Sequence, residues 1–185
     1  MTTLSDIYYN DDSLRTPDNG GDKGTAHSYI RTYDSIFEQY QNKDINILEI
    51  GVYEGHSLSL WNKYFTATSK VYGVDINSDC KQYERDNISV FIGDATNEDF
   101  IKQSFDGIKF DIIVDDGSHI KDEQLASFKV LFDTYLNEGG TYIIEDIGCL
   151  DDYQADFENL HSSCRILDTR RIQQRWDDAL AIYTK

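Results

Sequence analysis

The stretch Asp111-Ile112-Ile113-Val114-Asp115-Asp116-Gly117-Ser118-His119 joins an apolar run to two carboxylates and an imidazole. A second apolar run, Gly140-Thr141-Tyr142-Ile143-Ile144, ends in Glu145 and Asp146. Acids at the ends of neighbouring strands can share one cation, because adjacent strands lie ~4.8 Å apart. All-carboxylate ligation selects a hard cation such as Mg²⁺, or Ca²⁺ and Mn²⁺ as imitators, over zinc. Consecutive strand residues point to opposite faces, so Asp115 and Asp116 should do different jobs, one toward a cofactor and one toward the metal. His119 has an ordinary pKa of ~6.5 and can accept a proton near neutral pH beside such a cluster. The plainer alternative is a solvated acidic rim. His27, His56 and His161 have no comparable neighbours in the sequence.

The elements that must position these groups alternate between two periods. Ile30, Tyr33, Phe37 and Tyr40 recur at helical spacing from about Gly24 onward. Short β-rich runs follow at Ile45 to Ile50, Lys70 to Val74, Ile88 to Ile92, Phe110 to Val114 and Thr141 to Ile144. Between them, Ser57 to Phe65, Ser78 to Asp86, Asn97 to Ser104 and Lys121 to Leu136 read as helices. After a helix at Asp151 to His161, the runs Arg165 to Asp168 and Ala179 to Thr184 read as a terminal antiparallel hairpin. The expected fold is α/β: a Rossmann-like, doubly wound, mostly parallel seven-stranded sheet with helices on both faces and that C-terminal hairpin. Residues 1 to 23, with Pro17 and Gly20-Gly21, read as a lead-in or flap, and residues 24 to 185 as one domain.

The first strand points to a ligand class. Ile47-Leu48-Glu49-Ile50-Gly51-Val52-Tyr53-Glu54-Gly55 is a strand leading through a glycine-bearing turn into a helix, the place where doubly wound folds bind nucleotides. Tyr53 stands where a dinucleotide fingerprint needs its second glycine, so a dinucleotide fits poorly. Glu49, Gly51, Gly55 and Asp75 suit a ligand with a ribose and a positive charge, and S-adenosylmethionine has both. Asp75 can accept from ribose hydroxyls and Asp94 from an adenine amino group. Their plain alternative is a role as helix caps or turn formers.

Leu48-Glu49-Ile50-Gly51, Asp75, Gly93-Asp94 and Asp111 to Asp116, taken in order, resemble the class I S-adenosylmethionine-dependent methyltransferases. More narrowly, Asp115-Asp116-Gly117-Ser118-His119, Ser127-Phe128, Leu131-Phe132, Gly139-Gly140 and Tyr142-Ile143-Ile144-Glu145-Asp146 resemble the metal-dependent macrolide-sugar O-methyltransferases of the mycinamicin and tylosin pathways. Asp22-Lys23-Gly24, His27, Tyr29 and Tyr33 are similar to that family's N-terminal motif near the mouth of the active site. The resemblance implies Asp116, Glu145 and Asp146 as magnesium ligands and His119 as catalytic base. It also implies Glu49, Gly51, Asp75 and Asp94 as cofactor-pocket residues; Gly55 and Asp115 join them from the reading above. The implied acceptor is a hydroxyl on a sugar or a sugar-containing small molecule. A planar diol, as in catechol-type enzymes, and a non-catalytic binder of the cofactor remain the alternatives.

Composition narrows the partners. The chain has 185 residues and a net charge of -17, which argues against nucleic acid and anionic membranes as partners. The absence of a long apolar run or a basic leader reads as a cytoplasmic protein. Cys80, Cys149 and Cys164 read as reduced thiols, Trp61 and Trp176 as packing residues, and Arg170, Arg171 and Arg175 as partners of local carboxylates. A homo-oligomer is compatible with all of this.

Overall fold

The computed structural model describes residues 2–15 and 21–185; Met1 and residues 16–20, which include Pro17 and Gly20, lie outside the described residues. Seven strands form one sheet: β1 (Asn46–Ile50), β2 (Lys70–Asp75), β3 (Ile88–Ile92), β4 (Phe110–Asp115), β5 (Leu136–Ile144), β6 (Arg165–Asp168) and β7 (Ala179–Thr184). Their order is β3-β2-β1-β4-β5-β7-β6. The first five run parallel, whereas β7 is antiparallel to both β5 and β6. This is the expected mostly parallel sheet with its terminal hairpin. The strand order reverses between β1 and β4, and open α/β sheets bind ligands at the carboxyl ends of strands beside such a switch point.

Helices cover both faces. One core gathers α1 (Leu4–Asn10), α2 (Ile30–Phe37) and α3 (His56–Tyr64) over Ile47, Ile112, Val114 and Ile143. The other gathers α4 (Glu98–Ser104), α5 (Lys121–Tyr135) and α6 (Leu150–Glu158) over Leu48, Ile50, Ile113 and Ile144. The two sets alternate along β1, β4 and β5 because successive side chains leave opposite faces. Strands buried on both sides need apolar residues at nearly every position, which explains the unbroken run Ile112-Ile113-Val114.

Several local expectations change. Helix α1 lies inside the segment read as a lead-in; Thr3 caps it through a capping box with Asp6, and Leu4 and Tyr8 are fully buried. The segment read as a helix from Ser78 is a 3-10 helix over Ser78–Tyr83. Strand β5 begins at Leu136 rather than Thr141, because Leu136 pairs with Phe110 across an irregularity, and Gly139 and Gly140 hide the strand in the pattern. The segment between β6 and β7 holds the four-residue helix α7 (Arg170–Gln173). Trp61 is buried as expected, but Trp176 is 67% exposed, its ring lying on Gly148 at the surface. Arg170 pairs with Asp151 and Asp168, and Arg175 with Asp177. The three cysteines are free thiols. Among the described residues, no helix is long and apolar enough to cross a membrane.

If α1 is part of the core, Leu4→Ala should lower the unfolding free energy by about 2–4 kcal/mol. Urea titration of the full chain reads this directly, and an unchanged midpoint would show that α1 is not packed.

Candidate active site

The strand register brings the predicted residues to one level. Asp115 pairs with Ile50 on one side and Ile144 on the other, so Gly51, Asp116 and Glu145 are the first residues past three adjacent strand ends. Backbone bonds continue past the strands, from Asp116 N–H to the Ile50 carbonyl (2.9 Å) and from Glu145 N–H to the Asp115 carbonyl (2.9 Å). Gly51 has φ 89°, and a Cβ there would lie 2.0 Å from the Asp116 carbonyl oxygen, so only glycine lets these two strand ends approach.

The pleat then divides the acids. Asp115 turns toward α5, where Ser127 Oγ donates to its Oδ2 and burial pushes its carboxyl up to about 6. Glu49, Asp116 and Glu145 turn to the opposite face, toward Lys23. The Lys23 ammonium lies 2.6 Å from Asp116 Oδ2, 2.6 Å from Glu145 Oε1 and 3.4 Å from Glu49 Oε1. Tyr33 also donates to Glu145 Oε1, and Trp61 Nε1 donates to Glu49 Oε2 at 2.8 Å. Burial drives Glu49 up to about 7 against the pull of Lys23. Burial acts on Asp116 in the same direction, but the charges of Lys23 and His119 outweigh it and hold that carboxyl down at about 2.

Asp116, His119 and Asp146 form a compact cluster, with one ligating atom from each within 4.8 Å of the others. His119 Nε2 is 3.1 Å from Asp116 Oδ1, and its Nδ1 is 3.6 Å from Asp146 Oδ2. Both His119 (φ 57°) and Asp146 (φ 54°) adopt left-handed backbone, a cost tolerated at sites where side chains must be aimed. Tyr29 donates to Asp146 Oδ1 at 2.7 Å, and His27 Nδ1 lies 3.2 Å from the same oxygen. The two carboxylates fit an oxygen-preferring divalent cation whose other positions are filled by water or ligand hydroxyls, with the imidazole beside them. Glu145, expected as the third ligand, is not in this cluster; its Oε1 accepts from Lys23 and Tyr33.

Two cavities meet beside the cluster. One of about 190 Å³ is bounded by Ile50, Val74, Gly93, Asp94, Asp115 and Ser127. The other, of about 300 Å³, is bounded by Asp22, Tyr53, His56, Asp116, His119 and Asp146. Gly51, Asp75 and Gly117 line both. Asp75 is held by three amides, with Val52 and Tyr53 donating to Oδ2 and Asn77 to Oδ1, and these lower its pKa against its burial. Asp94 Oδ1 accepts from the Thr96 amide and hydroxyl, the turn-forming role weighed in the sequence, yet it also lines the first cavity. Two expected pocket residues stand elsewhere. Glu49 faces Lys23 and Trp61 because the pleat sends it to the other side of the sheet, and Gly55 (φ 69°) caps α3 against the ring of Tyr83.

Sequence reasoning gave no individual roles to Lys23, His27 or Tyr29, and only the similarity of their motif to the N-terminal element hinted at them. His27, which has no acidic neighbour in its motif beyond Asp22, is buried between Asp146 and Asp178. Gln124, which donates to the Glu145 carbonyl at 2.9 Å, carried no signal at all.

Burial lowers the His119 pKa, but the hydrogen bond and charge of Asp116, with the charge of Asp146, override it and raise the imidazole to about 9. A folded-state pKa above the ordinary 6.5 means that His119 adds stability in full below pH 6.5 and loses that contribution as pH rises through about 9. In EDTA, the difference in thermal midpoint between wild type and His119→Gln should therefore be largest below pH 6.5 and vanish above about 9. A difference independent of pH would contradict the pairing.

No family model matches the chain. It is 34% identical over 136 residues to the 8-demethyl-8-alpha-L-rhamnosyl tetracenomycin-C 2'-O-methyltransferase of Streptomyces olivaceus, covering 69% of this chain and 35% of the relative. It is also 34% identical over 132 residues to the demethylmacrocin O-methyltransferase of Streptomyces fradiae, covering 67% of this chain and 33% of the relative. The chain thus spans about a third of the length of these curated relatives. The structure of the MycE methyltransferase of the mycinamycin pathway, in complex with Mg, SAH and mycinamycin VI, superposes with a TM-score of 0.72 at 24% identity, over 98% of this chain and 53% of that one. The chain is accordingly a homologue of the sugar O-methyltransferases and has the class I methyltransferase fold.

Proposed function

We propose that the chain transfers a methyl group from S-adenosylmethionine to a hydroxyl of a sugar-containing small molecule, with the help of a divalent cation, Mg²⁺ in the first instance. The observation that carries this reading is the junction at Gly51, Asp75 and Gly117, where a cleft at the switch point meets a cavity holding Asp116, His119 and Asp146. A binder of the cofactor alone has no use for an imidazole between two carboxylates at that junction.

Asp75 would receive a ribose hydroxyl. Its three amide donors fix its orientation toward the cavities it lines. Asp94 would face the adenine end, and Asp115 with Ser127 would form the wall on the α5 side. Asp116 and Asp146 would hold the cation. When bound, S-adenosylmethionine supplies an electrophilic methyl group and the cation lowers the pKa of the acceptor hydroxyl. His119 would take the hydroxyl proton on a ring nitrogen as the hydroxyl oxygen bonds to the methyl carbon and the methyl–sulfur bond breaks, with S-adenosylhomocysteine as the leaving group. It can do so only in its neutral form, and offsetting the charges of Asp116 and Asp146 removes what holds its pKa high. The junction of the two cavities would place the hydroxyl beside the methyl group, so that positioning and proton removal carry the rate.

His119→Ala should reduce methyl transfer by about 10²–10⁴-fold. Labelled S-adenosylmethionine with sugar and catechol acceptors reads both rate and acceptor class; an undiminished rate would remove His119 from the chemistry. S-adenosylhomocysteine should raise the thermal midpoint of the wild type and leave that of Asp75→Ala unmoved. Equal shifts in the two proteins would displace the ribose contact from Asp75.

A further inference from the structure

Tyr29 and Tyr33 stand four residues apart at the start of α2, and the Tyr33 amide donates to the Tyr29 carbonyl at 2.9 Å, so their side chains leave one helix face a turn apart. Both are fully buried. Each hydroxyl has one proton to give, and each gives it to one of the two acids past β5: Tyr29 donates to Asp146 Oδ1 at 2.7 Å and Tyr33 to Glu145 Oε1. The rings are held by stacking, Tyr29 on His27 and Tyr33 on Phe37, with ring centres 4.9 Å apart in both pairs. The neighbouring cations choose the same two oxygens. Lys23 Nζ is 2.6 Å from Glu145 Oε1, and His27 Nδ1 is 3.2 Å from Asp146 Oδ1. The other oxygens differ. Asp146 Oδ2 faces His119 Nδ1 at 3.6 Å, within the acid cluster, and Glu145 Oε2 takes no hydrogen bond or ion pair among the described residues.

We propose that Tyr29 and Tyr33 are positioning residues, a pair of hydroxyl anchors that each tie down one oxygen of Asp146 and Glu145 and so present the other, Oδ2 and Oε2, to a divalent cation. A carboxylate whose torsions are fixed beforehand loses no freedom when it meets the metal, and the partners behind metal ligands set affinity for that reason. The inference rests on the cation half of the proposed function and goes beyond it by giving two buried tyrosines of the N-terminal segment a part in metal binding. Tyrosines that only fill the core would act through their rings, and losing the hydroxyls would leave metal affinity unaltered.

Tyr29→Phe and Tyr33→Phe keep the rings and remove the hydroxyls. Mn²⁺ binding to the full chain, read from the electron paramagnetic resonance of free Mn²⁺, should weaken by about 10–100-fold in each variant. S-adenosylhomocysteine binding in EDTA, read by titration calorimetry, should stay at the wild-type value, because neither tyrosine lines the cleft at the switch point. Unchanged Mn²⁺ affinity in both variants overturns the proposal and leaves the cation reading standing. Equal losses of Mn²⁺ and S-adenosylhomocysteine binding also overturn it, since they show general loosening of the site. If one variant does not fold in EDTA, the other carries the test; if neither folds, the hydroxyls are structural and the proposal falls. A wild type that binds no Mn²⁺ sinks the cation half of the proposed function and this inference with it.

Discussion

Two buried carboxylates and a third that is partly buried, on one face of three adjacent strand ends, need a compensating charge, and the arrangement around them follows from that constraint. Glu49, Asp116 and Glu145 are brought together by the register of β1, β4 and β5, and Lys23 answers them from a segment distant in sequence. Reaching them draws residues 21–29 across the carboxyl edge of the sheet. Tyr29 and Tyr33 then donate to Asp146 and Glu145, and α1 and α2 close one core over the central strands. The N-terminal segment is thus part of the site as well as of the core.

A single peptide step in β4 separates the two halves of the proposed chemistry. Asp115 and Asp116 are neighbours in the chain, yet one faces Ser127 and the cleft at the switch point, while the other faces Lys23, His119 and the acid cluster. The separation is a property of the pleat. Gly51 and Gly117 keep the partition thin, since both line the two cavities and a side chain at Gly51 would strike the backbone of Asp116.

Much of this was legible in the sequence because it is local. Apolar runs of strand length that end in acids, as at Val114-Asp115-Asp116 and Ile144-Glu145-Asp146, mark both the strands and the edge where chemistry collects. The opposite orientations of Asp115 and Asp116 followed from strand geometry alone. What could not be read depends on contacts across the chain. Lys23 meets Asp116 and Glu145 over separations of 93 and 122 residues, and no local pattern announces that pairing. Glu49 stands apart from its motif neighbours, which line the cleft, because the pleat turns it to the other face. Helix α1 was missed because its seven residues show two buried side chains, too few to establish a period.

The proposed chemistry requires the cation cluster and the cofactor cleft to be adjacent halves of one site. The most direct measurement is the proton relaxation of bound S-adenosylhomocysteine on titration with Mn²⁺. Mn²⁺ should strongly broaden the methylene signals beside the sulfur in the wild type, and Asp146→Asn should abolish the broadening while the ligand remains bound. Mn²⁺ that binds without touching those signals, or that broadens them equally in Asp146→Asn, would contradict that adjacency.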